Sequence, residues 1–238
     1  MRSSLGAAVT FFSPGIPFMF QGQEMLEDGY FTDTDPLDWT KVTTYAGIVQ
    51  MYKDMIALRR NTQAVTKGLT GPNTNVFHVN NSNKLVGWHR WMNGGTGDDV
   101  VVLVNFSATS WSNYRIGMPR GGMWKCRFNS DWNGYDGAFA NTGTYDLDAS
   151  NATPWDGMPA SGIFDIGAYT CLIFSQGDAP PPTNASDLNS DGRVDAADLA
   201  LLLNAWGSAK GPADINRDGA VNGVDLAILL GQWGWSAQ

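Results

Sequence analysis

The sequence predicts a multidomain chain with a short α/β segment, an all-β antiparallel sandwich, and a small α-helical module on two paired acidic loops. Three features point to it. Six strand-like runs separated by turn clusters fill residues 74–175. Three consecutive prolines, Pro180 to Pro182, follow them. Two loops of one pattern, DLNSDGRVDAAD (Asp187 to Asp198) and DINRDGAVNGVD (Asp214 to Asp225), then recur at an interval of 27 residues (187 to 214). The predicted boundaries are 1–68, 69–176, a linker at 177–186, and 187–238.

Within residues 1–68 the order is helix end, strand, loop and helix. SPGIP ends the first helix, because the residue before a proline is pushed out of the α region. The apolar run PFMFQ reads as a parallel strand buried on both faces. The helix TYAGIVQMYKDMIALRRN puts Ile48, Tyr52 and Met55 on one face, with Thr43 or Thr44 as its cap and Arg59 and Arg60 at its negative end.

Residues 74–175 read as TNVFHVN, KLVGWHRW, DVVVLVNF, NYRIGM, MWKCRFN and AYTCLIFS. The turns between them include NNSN, NGGTGD and PRGG, the pattern of an antiparallel sandwich. The Gly-, Asn- and Asp-rich stretch from Asp131 to Gly167 is expected to form long loops. His78 and His89 fall in strand runs and read as ordinary sandwich residues.

Each acidic loop offers side-chain oxygens at its first, third, fifth and ninth positions, glycine at the sixth and a carboxylate at the twelfth. In the first loop these are Asp187, Asn189, Asp191, Asp195 and Asp198, with Gly192 at the turn. In the second they are Asp214, Asn216, Asp218, Asn222 and Asp225, with Gly219 at the turn. The backbone carbonyls of Arg193 and Ala220 complete each set. A hard cation the size of Ca2+ takes about six to eight oxygens at about 2.4 Å, so the duplication predicts two calcium ions. After each loop, Leu199, Leu202, Leu203 and Trp206, and then Leu226, Leu229, Leu230 and Trp233, fall on one helical face. These stripes are expected to bury each other, with calcium supplying what so small a core lacks.

At 238 residues, 43% hydrophobic and 16% charged, the chain is long enough for one or two packed domains besides this module. The net charge of −8, with no basic cluster, argues against nucleic acid. Seven aspartates against Arg193, Lys210 and Arg217 place about half of that charge after residue 186. Cys126 and Cys171 lie in strand runs without metal-ligand spacing, and buried thiols are favoured over a disulfide. No stretch is long enough to span a membrane. MRSSLGAAVTFF mimics a secretion signal, but its apolar part is short and no clear cleavage site follows. Met1 is read as an internal methionine of a longer frame.

The Asp at the twelfth position of both loops, the short helices and the near-perfect duplication resemble a type I dockerin, an α-helical paired EF-hand-like module, over about residues 184 to 236. The resemblance implies a cohesin-like or other cell-surface partner and an extracellular or surface-attached location. Dockerins usually contact cohesin through small hydroxyl pairs and later basic residues. Here those positions read Ala196 and Ala197, Gly223 and Val224, then Leu203 and Asn204, Leu230 and Gly231, so calcium binding is better supported than any particular partner.

SPGIPFMFQGQE, PLDW (Pro36 to Trp39), the helix ending IALRRN and the sandwich after it resemble glycoside hydrolase family 13, the α-amylase and 1,4-α-glucan branching enzyme group. The family implies a (β/α)8 barrel followed by a C-terminal sandwich, with PFMFQGQE as the eighth barrel strand and residues 1–68 as the barrel's last strand and helices. Its catalytic carboxylates project from barrel strands 4, 5 and 7, so the resemblance assigns no catalytic residue to this chain. Glu24, Glu27, Asp28, Asp33 and Asp38 would lie near the catalytic rim, but read more simply as structural or solvated loop acids. Trp39 reads equally as a sugar platform or a core contact. Trp132 and Tyr135 read first as loop anchors and second as a glucan-contacting surface. The function implied is the C-terminal fragment of an enzyme cleaving α-1,4 glucosidic bonds, inactive by itself, with a calcium-binding attachment module. A non-enzymatic calcium-dependent carbohydrate-binding or assembly adaptor is the alternative.

Overall fold

The computed structural model describes residues 2–28, 32, 34–177, 184–189, 191, 193–208, 211–216 and 218–236. Asp33, Gly192 and most of the proline-rich linker fall outside them. The chain divides into two compact units, Met1–Asp178 and Ala179–Gln238.

The first unit opens with α1 (Arg2–Phe12), α2 (Lys41–Thr44) and α3 (Ala46–Arg59). Eight strands follow: β1 (Asn73–Asn80), β2 (Leu85–Trp91), β3 (Val100–Asn105), β4 (Trp111–Met118), β5 (Gly122–Asn129), β6 (Leu147–Ala149), β7 (Ala160–Ile166) and β8 (Cys171–Ser175). Six form one antiparallel sheet in the order β1-β2-β3-β8-β5-β6, and β4 pairs with β7 in a second.

The centre of the large sheet is buried at every position of β3 and β8. Successive strand residues point to opposite faces, so VVVLVN and CLIFS must each find cover on both sides. Val100, Val102, Val104, Cys171 and Ile173 face a cluster containing Phe11, Phe12, Ile48, Met51, Tyr52 and Met55 of α1 and α3. Val101, Leu103, Leu172 and Phe174 face Ile116, Met118, Phe164 and Ile166 of β4 and β7. The unit therefore has three layers: helices, six-stranded sheet, two-stranded sheet. Phe12, Met51 and Met55 are fully buried, worth about 1.5–3 kcal/mol each by apolar transfer. The change near residue 68 is from helix to strand within one packed unit.

Polar contacts fasten the helical layer to β2. The end of α1 leaves carbonyls unpaired, and Trp88 Nε1 donates to Phe12 O at 3.3 Å. Arg90 Nη1 donates to Phe12 O and Ser13 O at 3.3 and 3.2 Å, and its Nη2 to Gly71 O at 3.0 Å. Arg59 Nη1 adds a bond to Ser13 O at 3.1 Å. Burial, and then the nearby Arg59 charge, pull Arg90 down to about 10. Gly47 of α3 lies against the loop after β5, where an added Cβ would sit 2.0 Å from Tyr135 O. That loop is pinned to α3 by Tyr135 Oη donating to Asp54 Oδ2 at 2.6 Å.

The structure departs from the sequence pattern at several places. PFMFQ forms no regular strand and belongs to neither sheet, because a lone apolar run has no ladder partner here. Ile16 and Phe18 stand out at 97% and 81% exposure. Neither Thr43 nor Thr44 caps α3; Tyr45 occupies that position with no side-chain cap, and the threonines lie in α2. The stretch 131–167 contains β6 and β7, and Gly162 of β7 fits because a Cβ there would strike Leu147.

The second unit has α4 (Ala196–Asn204) and α5 (Gly223–Gly231). Its core is Val194, Leu202, Ala213, Val221 and Leu229, with Leu199, Leu226 and Trp235 packed against it. Leu203, Trp206, Leu230 and Trp233 are about half exposed, so the two stripes bury each other only in part. A nine-residue partner helix covers only a narrow band, and both tryptophans lie beyond the helix ends. The halves are laced reciprocally: Val194 N donates to Trp235 O and Gly234 N to Val194 O, while Gly207 N donates to Val221 O and Val221 N to Ser208 O.

Arg90→Met strands the carbonyls it serves and is expected to lower the first unit's urea stability by about 2–4 kcal/mol. Burial and the Asp54 carboxylate raise the Tyr135 phenol well above its ordinary value. Its stabilising contribution is therefore complete below the unfolded phenol value near 10 and is lost as pH rises above it. Tyr135→Phe is expected to flatten the fall in thermal midpoint between pH 9 and 11.

Candidate functional site

The duplicated loops are the best-defined candidate site. In each, the twelfth-position aspartate is fully buried and draws in backbone N–H groups. Asp198 Oδ1 accepts from Leu188 N and Asn189 N at 2.7 and 3.2 Å, and its Oδ2 from Asp195 N at 2.9 Å. Asp225 repeats the set with Ile215 N, Asn216 N and Asn222 N at 2.8, 3.2 and 2.9 Å. Burial pulls the Asp225 carboxyl upward, but the bonds from Asn222, Asn216 and Ile215 outweigh it and hold it below the usual carboxylate range.

The same residues start the helices. Asp195 caps α4 through Ala197 N and Asn222 caps α5 through Val224 N, and Asp198 and Asp225 complete the two capping boxes. The first-position aspartate sits under the turn: Asp214 Oδ1 accepts from Asp218 N and its Oδ2 from Gly219 N, at 3.1 and 3.0 Å. Asp191 N donates to Asp187 Oδ1 at 3.1 Å in the other loop. Asn189 and Asn216 receive bonds from Asp191 N and Asp218 N and donate to those carboxylates. Gly219 takes φ 94°, the left-handed turn the sixth position requires.

Among the described residues, no three acidic, imidazole or thiol side chains converge as a metal cluster. The donor chemistry nevertheless suits a hard cation. Asp214, Asp218 and Asp225 lie within one loop, and no ion pair joins them to a basic side chain among the described residues. Asn189, Asn216, Asp191 and Asp218 are exposed oxygen bearers beside the buried anchors. The backbone carbonyls of Arg193 and Ala220 lie in the same exposed loop stretches.

Among the described acids after residue 22, Glu27 and Asp28 are tied to Lys41. Lys41 Nζ donates to Glu27 Oε1 at 2.8 Å and to Asp28 Oδ1. Hydrogen bonds from Lys41 hold both carboxyls low, and the two acids raise the Lys41 ammonium above its ordinary range. Asp38 binds the Thr40 hydroxyl and amide at 2.6 and 3.0 Å, which lower its carboxyl. Glu24 keeps one buried oxygen, Oε2, without a hydrogen-bond partner among the described residues. Trp39 is 67% exposed.

Both histidines hold the sandwich together. His78 joins Asp156 Oδ2 at 3.0 Å and Tyr114 Oη at 2.9 Å. His89 meets Asp99 Oδ1 at 2.8 Å and stacks on Trp91. Burial raises the Asp99 carboxyl, but His89, Gly95 N and Arg120 bring it below its ordinary value. These pairings join residues ten to seventy-eight positions apart, with no local spacing to announce them. The capping boxes, by contrast, had a legible signal in the three-residue interval from Asp195 to Asp198. Cys126 and Cys171 are free thiols, and burial pushes Cys126 up to about 12.

Residues 77–177 match the family model of the alpha amylase C-terminal all-beta domain, and residues 185–232 match that of the dockerin type I domain. A 1,4-alpha-glucan branching enzyme GlgB of Mycobacterium sp. (strain JLS) is 29% identical over 174 residues, 71% of this chain and 22% of that protein. The enzyme of the same description from Thermobifida fusca (strain YX) is 29% identical over 154 residues, 63% of this chain and 20% of the relative. A pullulanase structure from Anoxybacillus sp. LM18-11 aligns at 15% identity with a TM-score of 0.47, over 74% of this chain and 23% of that one. The chain spans about a fifth of the length of the curated relatives it matches. The chain thus carries, in order, a segment matching the alpha amylase C-terminal all-beta domain and a segment matching the dockerin type I domain.

Proposed function

We propose that the chain serves as the C-terminal part of an α-glucan-active enzyme that cleaves α-1,4 glucosidic bonds with retention, attached outside the cell through a calcium-dependent docking module. The observation that supports this best is the union of an α-amylase-type all-β domain and a dockerin domain in one polypeptide. Residues 1–68 are read as the last strand and helices of a (β/α)8 barrel. The exposed Ile16 and Phe18 are apolar side chains that such a barrel would cover. Catalytic acids come from barrel strands outside this chain, and whether water or a sugar hydroxyl accepts the glucosyl group is decided there.

The docking module is read as paired EF-hand-like loops. Asp187, Asn189, Asp191, Asp195 and Asp198, with the Arg193 carbonyl, would hold one Ca2+. Asp214, Asn216, Asp218, Asn222 and Asp225, with the Ala220 carbonyl, would hold a second. When bound, calcium would supply the positive charge that lets these aspartates sit together and would cross-link each loop to its helix. The chain's own residues do the rest: Asp198 and Asp225 organise the loop amides, Asp195 and Asn222 start the helices, and Leu202 and Leu229 bury the faces that result. A cohesin-like partner would meet the half-exposed surface around Leu203 and Leu230.

Calorimetric titration of the 238-residue chain is expected to show two calcium ions bound, and EGTA is expected to reduce its helical circular dichroism. No calcium uptake, together with a spectrum indifferent to EGTA, would contradict the docking reading. The purified chain is expected to release no sugar from starch or amylose, and measurable turnover by it would place the catalytic acids here after all.

A further inference from the structure

A depression of about 240 Å³ lies where α3 meets the loop after β5, and its lining includes Asp54, Arg127, Trp132 and Tyr135. Neither the proposed catalysis nor the proposed docking uses it. The geometry points to a non-catalytic binding site for one glucopyranose ring of an α-1,4-glucan chain.

Trp132 is the platform. Its ring is held edge-to-face by Tyr135, with centroids 4.9 Å apart and planes at 88°. It also lies so close to Gly134 that a Cβ there would come within 2.5 Å of ring carbons. Tyr135 is fixed in turn by Asp54, and the backbone turn closes through Tyr135 N to Trp132 O at 3.0 Å. Trp132 nonetheless remains 40% exposed. An indole held in one orientation and left partly bare has already lost the side-chain entropy that binding would otherwise cost.

The polar rim fits a polyol. Asp54 accepts from Gln50 Nε2 at 2.8 Å and from Tyr135 Oη, and each carboxylate oxygen retains a second lone pair for a hydroxyl donor. Arg127 is tethered through Nε to Ser175 Oγ at 2.9 Å and through Nη2 to Gly177 O, which fixes a cationic donor on the same wall. A pyranose offers both an apolar C–H face for the indole and hydroxyls for a carboxylate and a guanidinium. The volume is below the roughly 300–1,000 Å³ of drug-sized pockets, so it suits a single ring with the rest of the chain running over the surface. A nucleobase could also stack, but the net charge of −8 opposes a phosphate-bearing ligand. The choice of α-linked glucan rests on the enzyme reading above.

The test is titration of the full chain with maltoheptaose, by calorimetry and by NMR of the tryptophan indole N–H signals. Saturable binding is expected, with the largest shift on the indole signal that disappears in Trp132→Phe. Trp132→Ala is expected to weaken binding about tenfold or more. Trp155→Ala, at a similarly exposed tryptophan (46%) on a different loop, is expected to leave it unchanged. Binding is also expected to survive EGTA, because the depression lies in the first unit, so failure of the calcium reading and failure of this one are distinguishable. Absence of maltoheptaose binding, unchanged affinity in Trp132→Ala, an unshifted Trp132 indole, or preference for cellohexaose would overturn the proposal.

Discussion

The double burial of β3 and β8 is the constraint on which the first unit depends. A sheet whose central strands read VVVLVN and CLIFS cannot leave either face to water, since each exposed position would forfeit the transfer energy of a Val, Leu, Ile or Phe side chain. One face is taken by β4 and β7, and the other is closed by α1 and α3. The helices are therefore part of the sandwich's own core. Arg90 and Trp88 anchor the junction by serving the Phe12 and Ser13 carbonyls at the α1 terminus.

The small unit solves a different problem. Among the described residues its apolar core is built around five buried side chains, too few to stabilise a fold of this size by packing alone. Its polar atoms are consequently used twice: the acids that bring loop amides together also form the helix capping boxes, so loop closure and helix initiation are one event. Concentrating aspartates in this way is electrostatically costly without a counterion, which is the physical reason for reading the loops as calcium sites.

Much of this was legible in the chain. The six strand runs stood out because their alternation or continuous apolar stretches were bounded by turn residues, and the loop repeat was visible as spacing alone. β6 and β7 were missed because a three-residue strand has no periodicity to read, and because the glycine of ASGIFDI, which looks like a loop marker, is required by Leu147. PFMFQ had the composition of a buried strand, but strand character needs a neighbour, and local composition does not supply one. The leucine and tryptophan stripes after the loops had helical spacing, yet spacing says which residues share a face and not how much of that face a short partner helix can cover. The histidine–carboxylate pairs and the Trp132 depression depend on contacts between distant segments.

The most direct measurement is differential scanning calorimetry of the 238-residue chain with calcium and again with EGTA. Two transitions are expected: one for residues 1–178, helices and sheet melting together and unmoved by calcium, and a smaller one for the tail unit that shifts upward when calcium is present. A separate early transition for the helical segment, or a first-unit midpoint that follows calcium, would contradict that expectation.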